Sequence, residues 1–181
     1  MAIDFQFKAF ANPSNALLVG KVVTVASIGI FSGTALSYNT VIMPSIRKFS
    51  TNSSLAIWSE TMHISKVLQS SLQATSIIGC AGLYYKTKNL SYLYGAISMA
   101  LILPYSYFAV APIDKKLIAI RQSYSANGKN EGLKDNDSTV DYLLNRWNLL
   151  HTGRTILSYS ALFVTLYAVI GDRGVRFIVF K

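Results

Sequence analysis

The sequence predicts an all-α protein, an integral membrane four-helix bundle, and two observations carry that prediction. Only 14% of its 181 residues are charged while 51% are apolar, whereas a soluble domain usually carries about 25% charged residues. The shortage is also concentrated: Val22 to Met43, Val67 to Tyr85, Asn89 to Ile113 and Thr155 to Gly171 contain no charge at all. A spanning helix needs roughly 17–25 apolar residues, so each run meets or nearly meets the requirement. A soluble bundle with an all-apolar core is the alternative, but its helices would show a polar stripe, and these runs show none.

The elements follow in order within one domain, residues 1–181. A short amphipathic lead carries Phe5, Phe7 and Phe10 as interfacial anchors. With Asp4 and no Arg before residue 17 it resembles neither a presequence nor a signal peptide, so the first helix, about 17–43, is expected to remain as an anchor. Gly29 and Gly33 in that helix have GxxxG spacing, extended by Ala26 and Ser37. Close packing within the chain is the favoured reading, and homo-oligomerisation the alternative. A polar connection of about twenty residues leads to the second span, 65–85.

The second span is diluted by Gln69, Ser70, Ser71, Gln73, Thr75 and Ser76. Such a helix packs against neighbours or lines a cavity rather than facing lipid all round. Ser71, Thr75 and Gly79 suggest its close-packing face, and Cys80 is a packing residue. A tight turn with Lys86 and Lys88 leads to the third span, 90–112, where Pro104 predicts a kink and the tyrosines predict packing. Residues 113–146 read as a polar loop whose first part, Asp114 to Tyr124, continues helix three, and whose last part leads into the fourth span, 149–171.

The net charge is +9. The basic residues sit at helix ends and in loops, which points to anionic lipid headgroups and not to nucleic acid, for which no module is present. Four spans place both termini on one side, and the distribution of Lys and Arg does not orient the bundle. An endomembrane (the endoplasmic reticulum) is preferred over a mitochondrial membrane.

The chemistry is sparse. There is no phosphate-binding loop, no nucleophile elbow and no metal-ligand cluster, and His63 and His151 are the only histidines. No carboxylate lies inside a span, which disfavours coupled ion transport. What stands out is Trp147, His151 and Arg154, spaced i, i+4, i+7 and therefore on one helical face. An arginine in a spanning helix marks a functional site by default. The bland alternative is that Arg154 snorkels to the headgroups beside an interfacial Trp147. The ends of helices one, three and four lie on one side, so Asn39, Arg47, Asp114, Asn148, His151 and Arg154 are expected around one mouth of the bundle. For Asp114, an ion pair with Arg47 or Arg154 is the favoured role.

Three segments, YNTVIMP at 38–44, PIDKKL at 112–117 and NRWNLLHTGRT at 145–155, together resemble the anthrone-oxygenase-like family of small four-helix membrane proteins. The resemblance spans roughly residues 17–170. It implies oxidation of a lipophilic aromatic substrate without metal or flavin, with His151 as the base, Arg154 on the oxyanion and Trp147 stacked on the ring. Asp114 stands where the family pattern has Asn, so an inherited contact there is not implied. Two readings stay open: a cofactor-independent oxygenase, and a non-enzymatic membrane protein that binds a lipid or small molecule or serves as an assembly partner.

Overall fold

A computed structural model describes residues 13–126 and 134–172. Phe5, Phe7 and Phe10 lie outside the described residues. The chain forms four long rods. The first joins α1 (Pro13–Ser37), a π-helical turn (Tyr38–Ile42) and α2 (Met43–Ile46). The second is α3 (Thr51–Thr87). The third joins α4 (Leu90–Tyr105), a second π-helical turn (Ser106–Val110) and α5 (Ala111–Ala126). The fourth is α6 (Lys134–Gly171). The first rod packs against the second and fourth, and the third rod closes the ring between them. The fold is thus an all-α four-helix bundle, without a strand among the described residues.

Its exterior fits lipid. Ile64, Val67, Ile78, Leu103, Phe108, Ile156, Phe163 and Ile170 are all exposed, while Thr24, Ser32, Ser76, Ser158 and Thr165 are buried. Several of the buried hydroxyls are satisfied locally: Thr24 donates to Gly20 O at 2.7 Å, Ser76 to Leu72 O at 2.7 Å and Ser158 to Thr155 O at 2.9 Å. Small polar groups inside and apolar groups outside is the membrane pattern. Three helices, Asn15–Ile46, Leu90–Ser125 and Ser138–Gly171, are long and apolar enough to cross a membrane. The second rod is not among them.

More of the chain is helix than expected. Helix α3 starts at Thr51, where a twenty-residue connection was expected, and residues 47–50 suffice to link it to α2. Ser54 stabilises that corner by donating to Ile46 O at 2.6 Å. In the polar stretch 113–146, the expected continuation of helix three over Asp114–Tyr124 is α5, and the expected lead into the fourth span is already helix, α6 starting at Lys134. The cause is apolar periodicity within polar sequence. Leu55 and Trp58 on the second rod, Val110 and Leu117 on the third, and Val140, Leu144 and Trp147 on the fourth meet in one core. At i, i+3, i+4 and i+7 spacing these residues form a stripe, so the bundle continues as an amphipathic four-helix cap beyond its apolar half.

The close-packing faces also differ from expectation. Gly33 is exposed with nothing near it, and of the Gly29–Gly33 pair only Gly29 meets another rod, where a Cβ would lie 4.0 Å from Leu162. Ser71 and Thr75 are exposed; the inward face of α3 is Gln69, Gln73, Ser76, Cys80 and Leu83. The rods come close where a Cβ at Gly79 would strike Thr24, one at Gly95 would strike Thr165, and one at Gly153 would strike Tyr105.

Both π-helical turns end two residues before a proline, Pro44 and Pro112. A proline in a helix lacks its N–H and clashes with the carbonyl four residues back, and a widened turn relieves that clash. Such turns often mark functional sites. Here they supply Tyr38 and Asn39 from the first rod and Ser106, Tyr107 and Val110 from the third.

Candidate functional site

Trp147 and His151, four residues apart on α6, are both 0% exposed and stack with ring centroids 4.7 Å apart. Tyr38 packs on both rings, and Trp58 meets Trp147 edge-on at 5.9 Å. The Tyr38 hydroxyl donates to Thr61 O at 2.9 Å and lies 2.6 Å from Ser65 Oγ. The predicted face therefore exists, and its two rings form the centre of an aromatic cluster.

Hydrogen bonds set the state of His151. Asn39 Nδ2 donates to Thr155 Oγ1 at 2.9 Å, and that hydroxyl donates to His151 O at 3.3 Å. The Asn39 carbonyl oxygen is thereby turned toward His151 Nδ1, 3.3 Å away. This network puts the ring proton on Nδ1 and leaves Nε2 as the acceptor. Nε2 is buried and has no partner among the described residues.

A cleft of about 460 Å³ opens beside this cluster, between the second and third rods. Its walls are Trp58, Met62, Lys66, Gln69 and Gln73 from α3 and Leu103, Ser106, Tyr107, Val110, Asp114 and Ile118 from the third rod, with Arg154 reaching in from α6. Arg154 donates through Nη2 to Gln69 Oε1 at 3.1 Å, and its guanidinium carbon lies 5.9 Å from the ring centre of the buried Phe31. It is turned into the bundle and does not snorkel outward. Because Gln69 Oε1 faces the guanidinium, Gln69 Nε2 is left as a donor without a partner among the described residues. Trp58 Nε1, Arg154 Nε and Ser106 Oγ are also buried and unpartnered among the described residues. All four residues line the cleft. Trp58 and Gln69 are only 2% and 5% exposed, so water does not reach these donors freely. The cleft is thus built to receive an acceptor.

Asp114 supplies the opposite character. Its Oδ1 accepts the Trp147 indole N–H at 2.7 Å. The expected ion pair with Arg47 or Arg154 is absent: among the described residues the salt bridges are Lys21–Asp172 and Arg121–Glu60. The second of these lies on the polar cap, where the Arg121 hydrogen bond and charge hold the Glu60 carboxyl below its usual range. No group of three or more His, Cys, Asp and Glu side chains comes together among the described residues.

The predicted residues thus divide into three sets. Arg154 and Asp114 line the cleft. Trp147, His151 and Asn39 form the wall of rings and amides behind it. Arg47 is exposed at the end of α2, and Asn148, whose carbonyl accepts Thr152 Oγ1 at 3.0 Å, does not line the cleft. The sequence reading missed Trp58, Lys66, Gln69 and Gln73 as site residues. Their signal was the polar dilution of the second span, and only packing shows which side of the helix they face.

Fold and site together define a membrane-type four-helix bundle with a donor-lined cleft opening between two of its helices. The anthrone oxygenase family model matches residues 58–164, more than half of the chain, and the chain belongs to that family. The matched stretch includes Trp58, Gln69, Asp114, Trp147, His151 and Arg154, whereas Tyr38, Asn39 and Arg47 precede it. No curated protein and no solved structure matches the chain.

Proposed function

We propose that the protein is a multi-pass membrane oxygenase that oxidises a lipophilic aromatic ketone of the anthrone type within this cleft. All four rods cross the membrane in this reading. The second rod runs antiparallel to apolar neighbours, and part of its polarity, Lys66, Gln69, Ser70 and Gln73, faces the cleft. The observation that carries the proposal is the meeting, in one largely apolar cleft, of an oriented carboxylate and a cluster of unpartnered donors.

The chemistry divides between them. Asp114, held by the Trp147 indole, takes a proton from the acidic CH₂ beside the rings. Arg154 and Gln69 hold the ketone oxygen as it becomes an enolate oxygen, and this stabilisation lowers the barrier to deprotonation. The carbanion then reduces dioxygen: a C–O bond forms, the hydroperoxide loses water, and the CH₂ becomes a second carbonyl. One O₂ is consumed and one water released per quinone. The substrate itself supplies the electrons.

His151, which the family resemblance makes the base, lies behind Trp147 and outside the cleft lining. Asp114 is better placed for proton transfer, and His151 fits a positioning role through the stack. The test is oxygen uptake by purified protein supplied with anthrone, with the quinone quantified. One O₂ consumed per quinone formed, above the rate without protein, supports the proposal. Binding of anthrone without turnover would favour the non-enzymatic reading, in which the same donors hold a ligand and Asp114 has no chemical role.

A further inference from the structure

The charges of the cleft do not balance. Lys66 and Arg154 are two cations, and Asp114 is the one carboxylate among the described lining residues. Asp114 is already engaged by Trp147, and among the described residues Arg154 is hydrogen-bonded to the neutral Gln69 alone. Lys66 has no carboxylate within ion-pair distance among the described residues. Its neighbours Ile64 and Val67 are 74% and 76% exposed, so this cation stands on a helix whose outer face suits lipid. An unmatched charge is costly in such surroundings, and a monoanionic guest would neutralise the site.

Position separates the two cations. Lys66 is exposed at the mouth, one helical turn (~5.4 Å) before Ser70 on the same wall. Arg154 and the unpartnered donors of Trp58 and Gln69 lie deeper. We infer that the cleft selects an aromatic ketone that also carries a carboxylate, with Lys66 binding the carboxylate while Arg154 and Gln69 bind the reacting oxygen. This rests on the oxidation proposed above and names the substrate class of the same site. Lys66 is then a specificity residue, sorting acids from neutral rings.

The test is anaerobic binding of two non-oxidisable probes, anthracene-9-carboxylate and its neutral amide, to the full chain in phosphatidylcholine nanodiscs, followed by probe fluorescence. The acid binds wild type about ten-fold more tightly than the amide or better, as one charge-assisted contact provides. Lys66→Gln brings that ratio to about three-fold or less without weakening the amide, and Lys48→Gln, outside the cleft, leaves it unchanged. Equal binding of acid and amide by wild type overturns the inference, as does a preference that survives Lys66→Gln. Displacement of the acid by phosphatidylglycerol would also overturn it, assigning Lys66 to a lipid headgroup. Because no turnover is read, an intact preference without anthrone oxidation would remove only the catalytic proposal, and oxidation without the preference only this one.

Discussion

The Trp147 indole N–H ends 2.7 Å from the Asp114 carboxylate while the same indole lies flat against the His151 imidazole. One side chain thus ties the fourth rod to the third and fixes the acid of the cleft. Trp147→Phe keeps a ring in the stack but leaves the carboxylate without its donor. The expected loss is about 2 kcal/mol of stability, since hydrogen bonds to charged groups contribute roughly 1.5–3 kcal/mol. Thermal unfolding in detergent checks this, and Asp114→Asn in the Trp147→Phe background adds less than it does alone.

Gly153 is required by the ring of Tyr105, whose hydroxyl donates to Leu150 O at 2.8 Å. Gly153→Ala forces a methyl group into that ring and destabilises by about 1–3 kcal/mol. Tyr105→Leu removes the obstacle together with the hydrogen bond. A double-mutant cycle on unfolding midpoints shows a coupling of at least about 0.5 kcal/mol if the two residues meet as described.

Lys21 is buried and pairs with Asp172 at 2.7 Å, at the far end of the bundle from the cap. Removing one partner strands the other charge. Asp172→Asn is therefore more destabilising than the double variant Lys21→Met/Asp172→Asn, even though the latter removes more of the pair. Unfolding midpoints of the three proteins at neutral pH decide the order.

On the cap, Arg121 holds Glu60 ionised. The folded-state pKa is below the unfolded one, so the pair's contribution is present above the ordinary carboxylate range and fades as pH falls through the folded value. The midpoint difference between wild type and Arg121→Gln narrows as pH drops below about 4 and shrinks in high salt, because the pair is solvent-exposed. A difference independent of pH would assign Arg121 to packing or to its contact with Ser59.

The bundle was legible because uncharged length is a direct consequence of the lipid solvent. The Trp147–His151–Arg154 face was legible because α-helical spacing fixes it locally. The cap was not. Ile113, Leu117 and Ile120, and Val140, Leu144 and Trp147, carry an apolar stripe, but the Gly, Asn, Ser and Asp between them dominate a composition-based reading. Asp114 was assigned an arginine partner because charge suggests charge; a tryptophan three turns into the next rod leaves no trace in local spacing. Gln69 and Lys66 were visible as polar residues in a span, yet which way α3 turns is decided by Leu83, Cys80 and Ser76 packing inward.

The central claim is that chemistry occurs in the cleft at Asp114 and Arg154 and that His151 acts from behind it. Anthrone-dependent oxygen uptake by Asp114→Asn and His151→Gln, each shown to be folded, tests it directly. With the base at Asp114, Asp114→Asn loses at least about 100-fold in kcat, the scale of a positioned general base, and His151→Gln loses no more than about ten-fold. The reverse order, with His151→Gln inactive and Asp114→Asn near wild type, would place the base in the aromatic stack and contradict the account.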